Sequence, residues 1–102
     1  MMPMTANGLA KLLEELGELS QVAAKRLAYY HTSTHPDGAG DLNERMEAEM
    51  ADVAAACAFV QQQFGLNGTA IENRACIKLA LFQQWHADDG NGAECFHAPP
   101  AA

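Results

Sequence analysis

Apolar residues recur every three or four positions along most of this chain, the spacing that places them on one face of an α-helix. Three such runs are separated by turn-forming residues and predict helices over about residues 7–30, 42–64 and 70–86. No segment alternates apolar and polar residues over several positions, so strands are not expected. The pattern therefore predicts an all-α protein with two long helices and a shorter third.

The segments between these runs contain residues that end helices. The stretch His31–Gly40 contains a proline and several turn formers, and cannot continue a helix. Gly65, followed by an apolar residue, is typical of a helix C-terminus. After residue 86, glycines and prolines interrupt the apolar pattern. We therefore predict a single helical domain over residues 1–86 and a flexible C-terminal tail over residues 87–102.

Two pairs of residues have the spacing of a capping box, in which side chains at a helix start bond to backbone N–H groups. Asp41 precedes the second run, with Glu44 three residues further on, and Thr69 precedes the third, with Glu72 three residues further on. These pairs predict where the second and third helices begin.

Each predicted helix has one apolar stripe that is expected to be buried. Helices this long would leave much apolar surface uncovered in a single chain, so we predict that a helical bundle is completed by a homodimer or homotetramer. The predicted stripes are Leu9, Leu12, Leu16, Leu19, Val22, Ala23 and Leu27 in the first helix, Leu42, Met46, Val53, Cys57, Val60 and Phe64 in the second, and Ile71, Ala75, Lys78, Phe82 and Trp85 in the third.

Composition excludes several classes of partner. The 102 residues include 6 Lys and Arg against 13 Asp and Glu, a formal net charge of -7, which disfavours binding to nucleic acid polymers or anionic lipid. No apolar run approaches the roughly 20 residues of a membrane span. Three cysteines without a CxxC pair do not suggest a disulfide framework, and the N-terminus does not resemble a secretion signal, so a cytoplasmic location is expected.

Four carboxylates stand out from the rest of the acidic residues. Glu15 and Glu18 lie three positions apart in the first helix, and Glu49 and Asp52 have the same spacing in the second. Each pair spans about 60° of its helix and borders the apolar stripe. Acids at this spacing are commonly solvated, but repulsion and partial burial make this placement costly without a counter-charge.

The counter-charge has two candidate sources. Lys11 and Arg45 fall near the acidic edges of the two helices. A divalent cation is the more economical source, because Mg²⁺ prefers carboxylate oxygens and accepts phosphate oxygens in the same coordination sphere.

The two acid motifs resemble those of a known family. The segment Leu12–Ala23 contains EExxE, and the segment 49–54 contains ExxD. Together on consecutive helices, over about residues 9–86, they are similar to the MazG-like all-α nucleoside triphosphate pyrophosphohydrolases. The His31–Gly40 stretch would be an extended loop between the two motifs.

The resemblance implies a helical bundle of two or more subunits that hydrolyses a nucleoside triphosphate to the monophosphate and diphosphate. It implies that Glu15, Glu18, Glu49 and Asp52 act in catalysis by binding Mg²⁺, with Mn²⁺ as a possible substitute. Glu14 lies about 100° from Glu15, where it would either order a water near the metal or be solvated.

Basic residues on the third helix are candidates for contact with substrate phosphates. Lys78 and Arg74 lie about 40° apart on that helix, and family members often have basic residues there. Alternatively, the Lys78 stem packs while its ammonium group reaches water. A different class of function also remains open, in which the chain is a non-enzymatic helical module that binds nucleotide, metal or another protein.

Overall fold

The computed structural model describes residues 6–89, and all of their regular structure is helical. Helix α1 spans Leu9–Ala28, α2 spans Leu42–Phe64 and α3 spans Gly68–Asp88. The all-α prediction is confirmed, and the bounds of α2 are those expected. The prediction of a shorter third helix is wrong, because α3 has 21 residues and α1 has 20. Residues 90–102, most of the predicted tail, lie outside the described residues, while 87 and 88 belong to α3.

Helix α2 begins and ends as its sequence predicts. The Asp41 carboxylate accepts a hydrogen bond from the Glu44 backbone N–H at 3.0 Å. At the other end Gly65 has a φ of 62° and donates its N–H to the Gln61 carbonyl. This left-handed conformation favours glycine, which has no Cβ to clash with the backbone.

Helix α3 begins two residues earlier than expected. The Asn67 side chain accepts a hydrogen bond from the Ala70 N–H at 2.9 Å, and Asn67 has the extended backbone of an N-cap. The prediction that Thr69 caps this helix is wrong, because Asn67 already provides the capping oxygen and Thr69 lies inside the first turn.

Helices α1 and α2 form an antiparallel hairpin. At one end Gly8 lies against α2 so closely that a Cβ would be 2.6 Å from Phe59 Cδ2. At the other end the Arg26 Nε donates to the Asn43 side-chain oxygen at 2.9 Å. The buried apolar residues between the helices are Val22, Leu42, Ala56 and Val60.

The loop between α1 and α2 is held by side chains from both helices. Arg26 Nη1 donates to the backbone carbonyls of Tyr29, Tyr30 and Thr32 at 2.7–3.0 Å. These bonds satisfy carbonyl groups that follow the end of α1 and would otherwise need water.

Asp37 is the second anchor of this loop. Its carboxylate lies 2.9 Å from Lys25 Nζ and 3.2 Å from Arg45 Nη1. The hydrogen bond from Lys25, the N–H of Ala39 and the charge of Arg45 hold the pKa of the Asp37 carboxyl well below its usual range. Lys25 and Arg45 therefore order the loop between α1 and α2.

The buried strip of the hairpin differs from the predicted stripes. On α1 the predicted core residues Leu9, Leu16 and Leu27 are exposed, whereas Glu15 is only 8% exposed. On α2, Cys57 and Phe64 are exposed as well. Each helix has more apolar surface than a single neighbouring helix can cover, so only part of that surface becomes buried.

The contacts divide the chain into two compact units, with the boundary between Leu66 and Asn67. The hairpin belongs to the first unit and α3 to the second. No described residue of α3 is buried, so burial of the stripe predicted for this helix stays a prediction. Within α3, the rings of Phe82 and Trp85 lie 5.7 Å apart. A single domain over residues 1–86 stays a prediction.

Candidate metal and ligand site

The hairpin brings three of the four predicted carboxylates together. The antiparallel arrangement brings Glu18, near the middle of α1, close to Glu49 in the first half of α2. One carboxylate oxygen from each of Glu15, Glu18 and Glu49 lies within 4.8 Å of the others. We call these three residues the acid trio, and it combines both sequence motifs in one place.

Two oxygen atoms of the acid trio are buried without a hydrogen-bond partner. These atoms are Glu15 Oε1 and Glu49 Oε1. A carboxylate oxygen removed from water without a donor costs free energy, and such groups in native proteins usually have a bound partner. The trio is therefore incomplete as a purely structural cluster.

The acid trio also carries unbalanced negative charge. The negative charge of Glu15, followed by desolvation and the charge of Glu49, raises the pKa of the Glu18 carboxyl. Lys11 partly compensates, since its Nζ lies 3.2 Å from Glu14 Oε1 and 3.5 Å from Glu15 Oε2. Its hydrogen bond to Glu14 raises the pKa of Lys11, so this ammonium group stays charged.

The acid trio fits a divalent cation by chemistry and by distance. Carboxylate oxygens are the ligands preferred by Mg²⁺, which binds them at about 2.1 Å. Adjacent oxygens around such an ion lie about 3 Å apart and opposite ones about 4.2 Å apart. Carboxylate movements on the order of 1 Å would close the trio around the ion.

The fourth predicted carboxylate, Asp52, lies beside the acid trio without being part of it. It is exposed and lines a pocket together with Glu15. Glu14 is also not part of the acid trio; its side chain is 54% exposed and paired with Lys11. The roles predicted for Asp52 and Glu14 stay predictions.

The pocket that Asp52 and Glu15 share has a volume of about 360 Å³. Its charged edge also includes Lys11, and the rest of its lining is apolar: Gly8, Ala55, Ala56 and Phe59. Ligand sites in proteins are commonly concave, largely apolar and furnished with a few polar groups. This pocket has that composition.

The basic residues predicted to contact phosphates lie on α3, in the second compact unit. The Lys78 ammonium group lies 5.8 Å from the centre of the Phe82 ring, the geometry of a cation–π contact. Arg74 is exposed. Their contact with phosphate stays a prediction.

Sequence reasoning missed the apolar half of the pocket. Phe59 is not part of the stripe predicted for α2, yet it is half-buried and lines the pocket. A signal was present, because Ala55, Ala56 and Phe59 follow Asp52 by three, four and seven positions and so share its side of α2. Lys11 precedes Glu15 by four positions, which is the spacing of an ion pair on a helix.

Mg²⁺ is expected to raise the thermal unfolding midpoint more at pH 8 than at pH 4. Because the folded state raises the pKa of Glu18 above its ordinary 4.5, this carboxyl stabilises the metal-free fold below that pH. The contribution is lost as the pH rises through the raised value. Cation binding relieves the resulting repulsion, and at saturation we expect a shift of about 5 °C.

Differential scanning fluorimetry at matched ionic strength measures this effect. Glu18→Gln should raise the metal-free midpoint at pH 8 and reduce the Mg²⁺ effect, whereas Glu47→Gln, at an exposed position on α2, should do neither. Equal Mg²⁺ shifts at both pH values would contradict the assignment.

Comparison of the chain with protein-family models, curated proteins and solved structures finds no match. Among residues 6–89, no helix is long and apolar enough to cross a bilayer. The acid trio and its adjoining pocket are therefore the observations on which a functional assignment rests.

Proposed function

We propose that this protein is a Mg²⁺-dependent, MazG-like nucleoside triphosphate pyrophosphohydrolase. It converts a ribo- or deoxyribonucleoside triphosphate and water to the monophosphate and diphosphate, and it serves to clean the nucleotide pool. The observation that supports this most is the convergence of the EExxE and ExxD helices on three carboxylates, two of which have an orphan buried oxygen. The pocket beside them leaves room for a substrate.

The roles of the side chains follow from their placement. Glu15, Glu18 and Glu49 would hold the cation, and Mn²⁺ could replace Mg²⁺. When bound, such an ion neutralises phosphate oxygens and lowers the pKa of an attacking water. Asp52, exposed at the pocket, would complete the ligand set or accept a proton from that water.

The proposal also covers the location of the protein and the ligands that it is not expected to bind. A formal net charge of -7 opposes binding to a nucleic acid polymer or an anionic membrane surface. A triphosphate remains a suitable ligand because bound cations screen its charge. We assign the enzyme to the cytoplasm, where its substrates are found.

A hydrolysis screen tests this proposal directly. The purified full chain is incubated with canonical and modified nucleoside triphosphates in the presence of Mg²⁺, and diphosphate and orthophosphate are measured separately. Diphosphate release from at least one nucleotide is expected. If the protein has full helicity and binds Mn²⁺ but hydrolyses no nucleotide, the proposed hydrolase activity is refuted.

A non-enzymatic module is the alternative. The position of Asp52 outside the acid trio favours it, because three carboxylates suffice to bind a cation without completing a catalytic centre. Calorimetric binding of Mn²⁺ and nucleotide without turnover would support a sensor of this kind. Binding of neither would leave a structural or interaction module.

We also propose that the chain works as a homodimer or as a homotetramer built from such dimers. Exposed apolar residues follow one side of each hairpin helix, and the antiparallel arrangement places both rows on the same side. On α1 this row is about 120° from Glu15 and about 180° from Glu18, so it faces away from the pocket. We call this row the apolar face; it consists of Leu9, Leu13, Leu16 and Leu27 of α1, and Met50, Cys57 and Phe64 of α2.

The size of the apolar face suits a second copy of the chain. Its six large side chains are 42–69% exposed and together present roughly 500 Å². Soluble monomers rarely expose a contiguous apolar patch of more than a few hundred Å². A standard interface buries about 800 Å² on each partner, which this face and its borders can supply.

Leu13→Glu is expected to dissociate the assembly, because it places a charge on the most exposed leucine of the apolar face, which is 69% exposed. Sedimentation equilibrium should give a mass of two or four chains for the wild type and a lower mass for this variant. Ala51→Glu adds the same charge at an exposed position of α2 directed away from α1, and should not change the mass. A monomeric wild type at micromolar concentration would overturn this proposal.

A further inference from the structure

The pocket beside the acid trio is lined by two chemically different groups of residues. Lys11, Glu15 and Asp52 provide charge. Phe59 and two alanines provide an apolar wall. A ligand that fills this pocket therefore needs an anionic or metal-binding group joined to a flat, largely apolar one.

The apolar part of the lining consists of small residues and one aromatic ring. Ala55 is exposed and contributes only a methyl group, so the space beside it stays open. The Phe59 ring lies where a Cβ on Gly8 would collide with it at 2.6 Å. Because Gly8 has no Cβ, the Phe59 ring can pack against the start of α1, where it lines the pocket.

The charged part of the lining includes an ammonium group that can contact phosphate. The Lys11 side chain is 45% exposed, so its ammonium group can contact a ligand while it stays near Glu14 and Glu15. Glu15 belongs both to the pocket lining and to the acid trio. An anionic group bound beside Glu15 therefore lies next to a carboxylate of the acid trio.

We propose that this pocket binds the nucleoside part of a nucleoside triphosphate, with the base against Phe59 and the phosphates passing Lys11 toward the acid trio. This inference rests on the proposed function and adds the site and orientation of the substrate. Aromatic rings bind the faces of all bases, and a volume of about 360 Å³ lies within the usual range for ligand sites. The base is held by its flat face and by the room beside Ala55.

Filling the pocket from Ala55 tests this assignment without touching the acids. Ala55→Leu projects a larger side chain into the space beside Phe59, and Ala58→Leu makes the same change at an exposed position outside the lining. The ligands are the non-hydrolysable α,β-imido analogues of the four deoxynucleoside triphosphates, compared with inorganic triphosphate. Calorimetry with Mn²⁺ gives each affinity, and Mn²⁺ alone reports the integrity of the acid trio.

The wild type should bind at least one analogue about tenfold more tightly than inorganic triphosphate, because the nucleoside adds contacts. Ala55→Leu should abolish that preference and leave Mn²⁺ binding unchanged, while Ala58→Leu preserves both. Lys11→Met should weaken the analogue and inorganic triphosphate by the same factor, since both present phosphate to that ammonium group.

Two results would overturn the inference. One is wild-type protein that binds inorganic triphosphate as tightly as every analogue, and the other is Ala55→Leu with the same preference as Ala58→Leu. A protein that binds the analogues in the Ala55-dependent way but turns over no nucleotide would support the pocket and refute the hydrolase. The two proposals can therefore fail separately.

Discussion

Glu49→Gln is expected to abolish Mg²⁺-dependent diphosphate release, with kcat lowered about 1,000-fold or more. Glu49 contributes the one α2 carboxylate of the acid trio, and its Oε1 is a buried atom without a hydrogen-bond partner. The amide keeps the shape of the side chain but removes the charge that would attract the cation. Steady-state kinetics and Mn²⁺ calorimetry measure the two losses.

The matched control for this substitution is Glu47→Gln. Glu47 is exposed on the same helix and lies outside the acid trio, so its variant should keep wild-type kcat and Mn²⁺ affinity. Circular dichroism should show unchanged helicity for both variants, because neither removes a packing contact. A fully active Glu49→Gln would contradict the assignment of the site.

Leu42→Ala is expected to cost about 3 kcal/mol of unfolding free energy. Leu42 is fully buried, with 0% of its surface exposed, at the point where α2 begins against the end of α1. Removing three carbons there leaves a cavity in a hairpin with few other buried side chains. Urea denaturation followed by circular dichroism, at one fixed protein concentration, measures the loss.

Leu79→Ala controls for the loss of leucine itself. Leu79 is 56% exposed on α3, so its truncation should change the free energy of unfolding by less than about 0.5 kcal/mol. Equal losses for the two variants would show that the contact between α1 and α2 is not where the hairpin gains its stability.

Part of the candidate site could be predicted from spacing alone. Two acids three positions apart lie on the same side of a helix, so Glu15 with Glu18 had to form a pair if the segment was helical. Partial burial of Glu15 was also foreseeable from its place at the edge of a leucine stripe, although not that it would be more buried than Leu16. Both conclusions need only the geometry of one helix.

The meeting of the two pairs depends on the register of the hairpin, which no single helix specifies. The contact of Gly8 with Phe59 and the bond from Arg26 to Asn43 set that register. It puts Glu49 in the acid trio and leaves Asp52 at the neighbouring pocket.

The helical class, the start and end of α2 and the chemistry of its acidic residues follow from the amino-acid sequence, because periodicity, capping and charge act over a few neighbouring residues. The tertiary structure decided which apolar residues became buried. The apolar side of a helix such as α1 is wider than its contact with α2, so only part of that side is buried. The energy that selects Val22 for burial and leaves Leu13 exposed comes from contacts distant in sequence, and these exist only after the helices have packed.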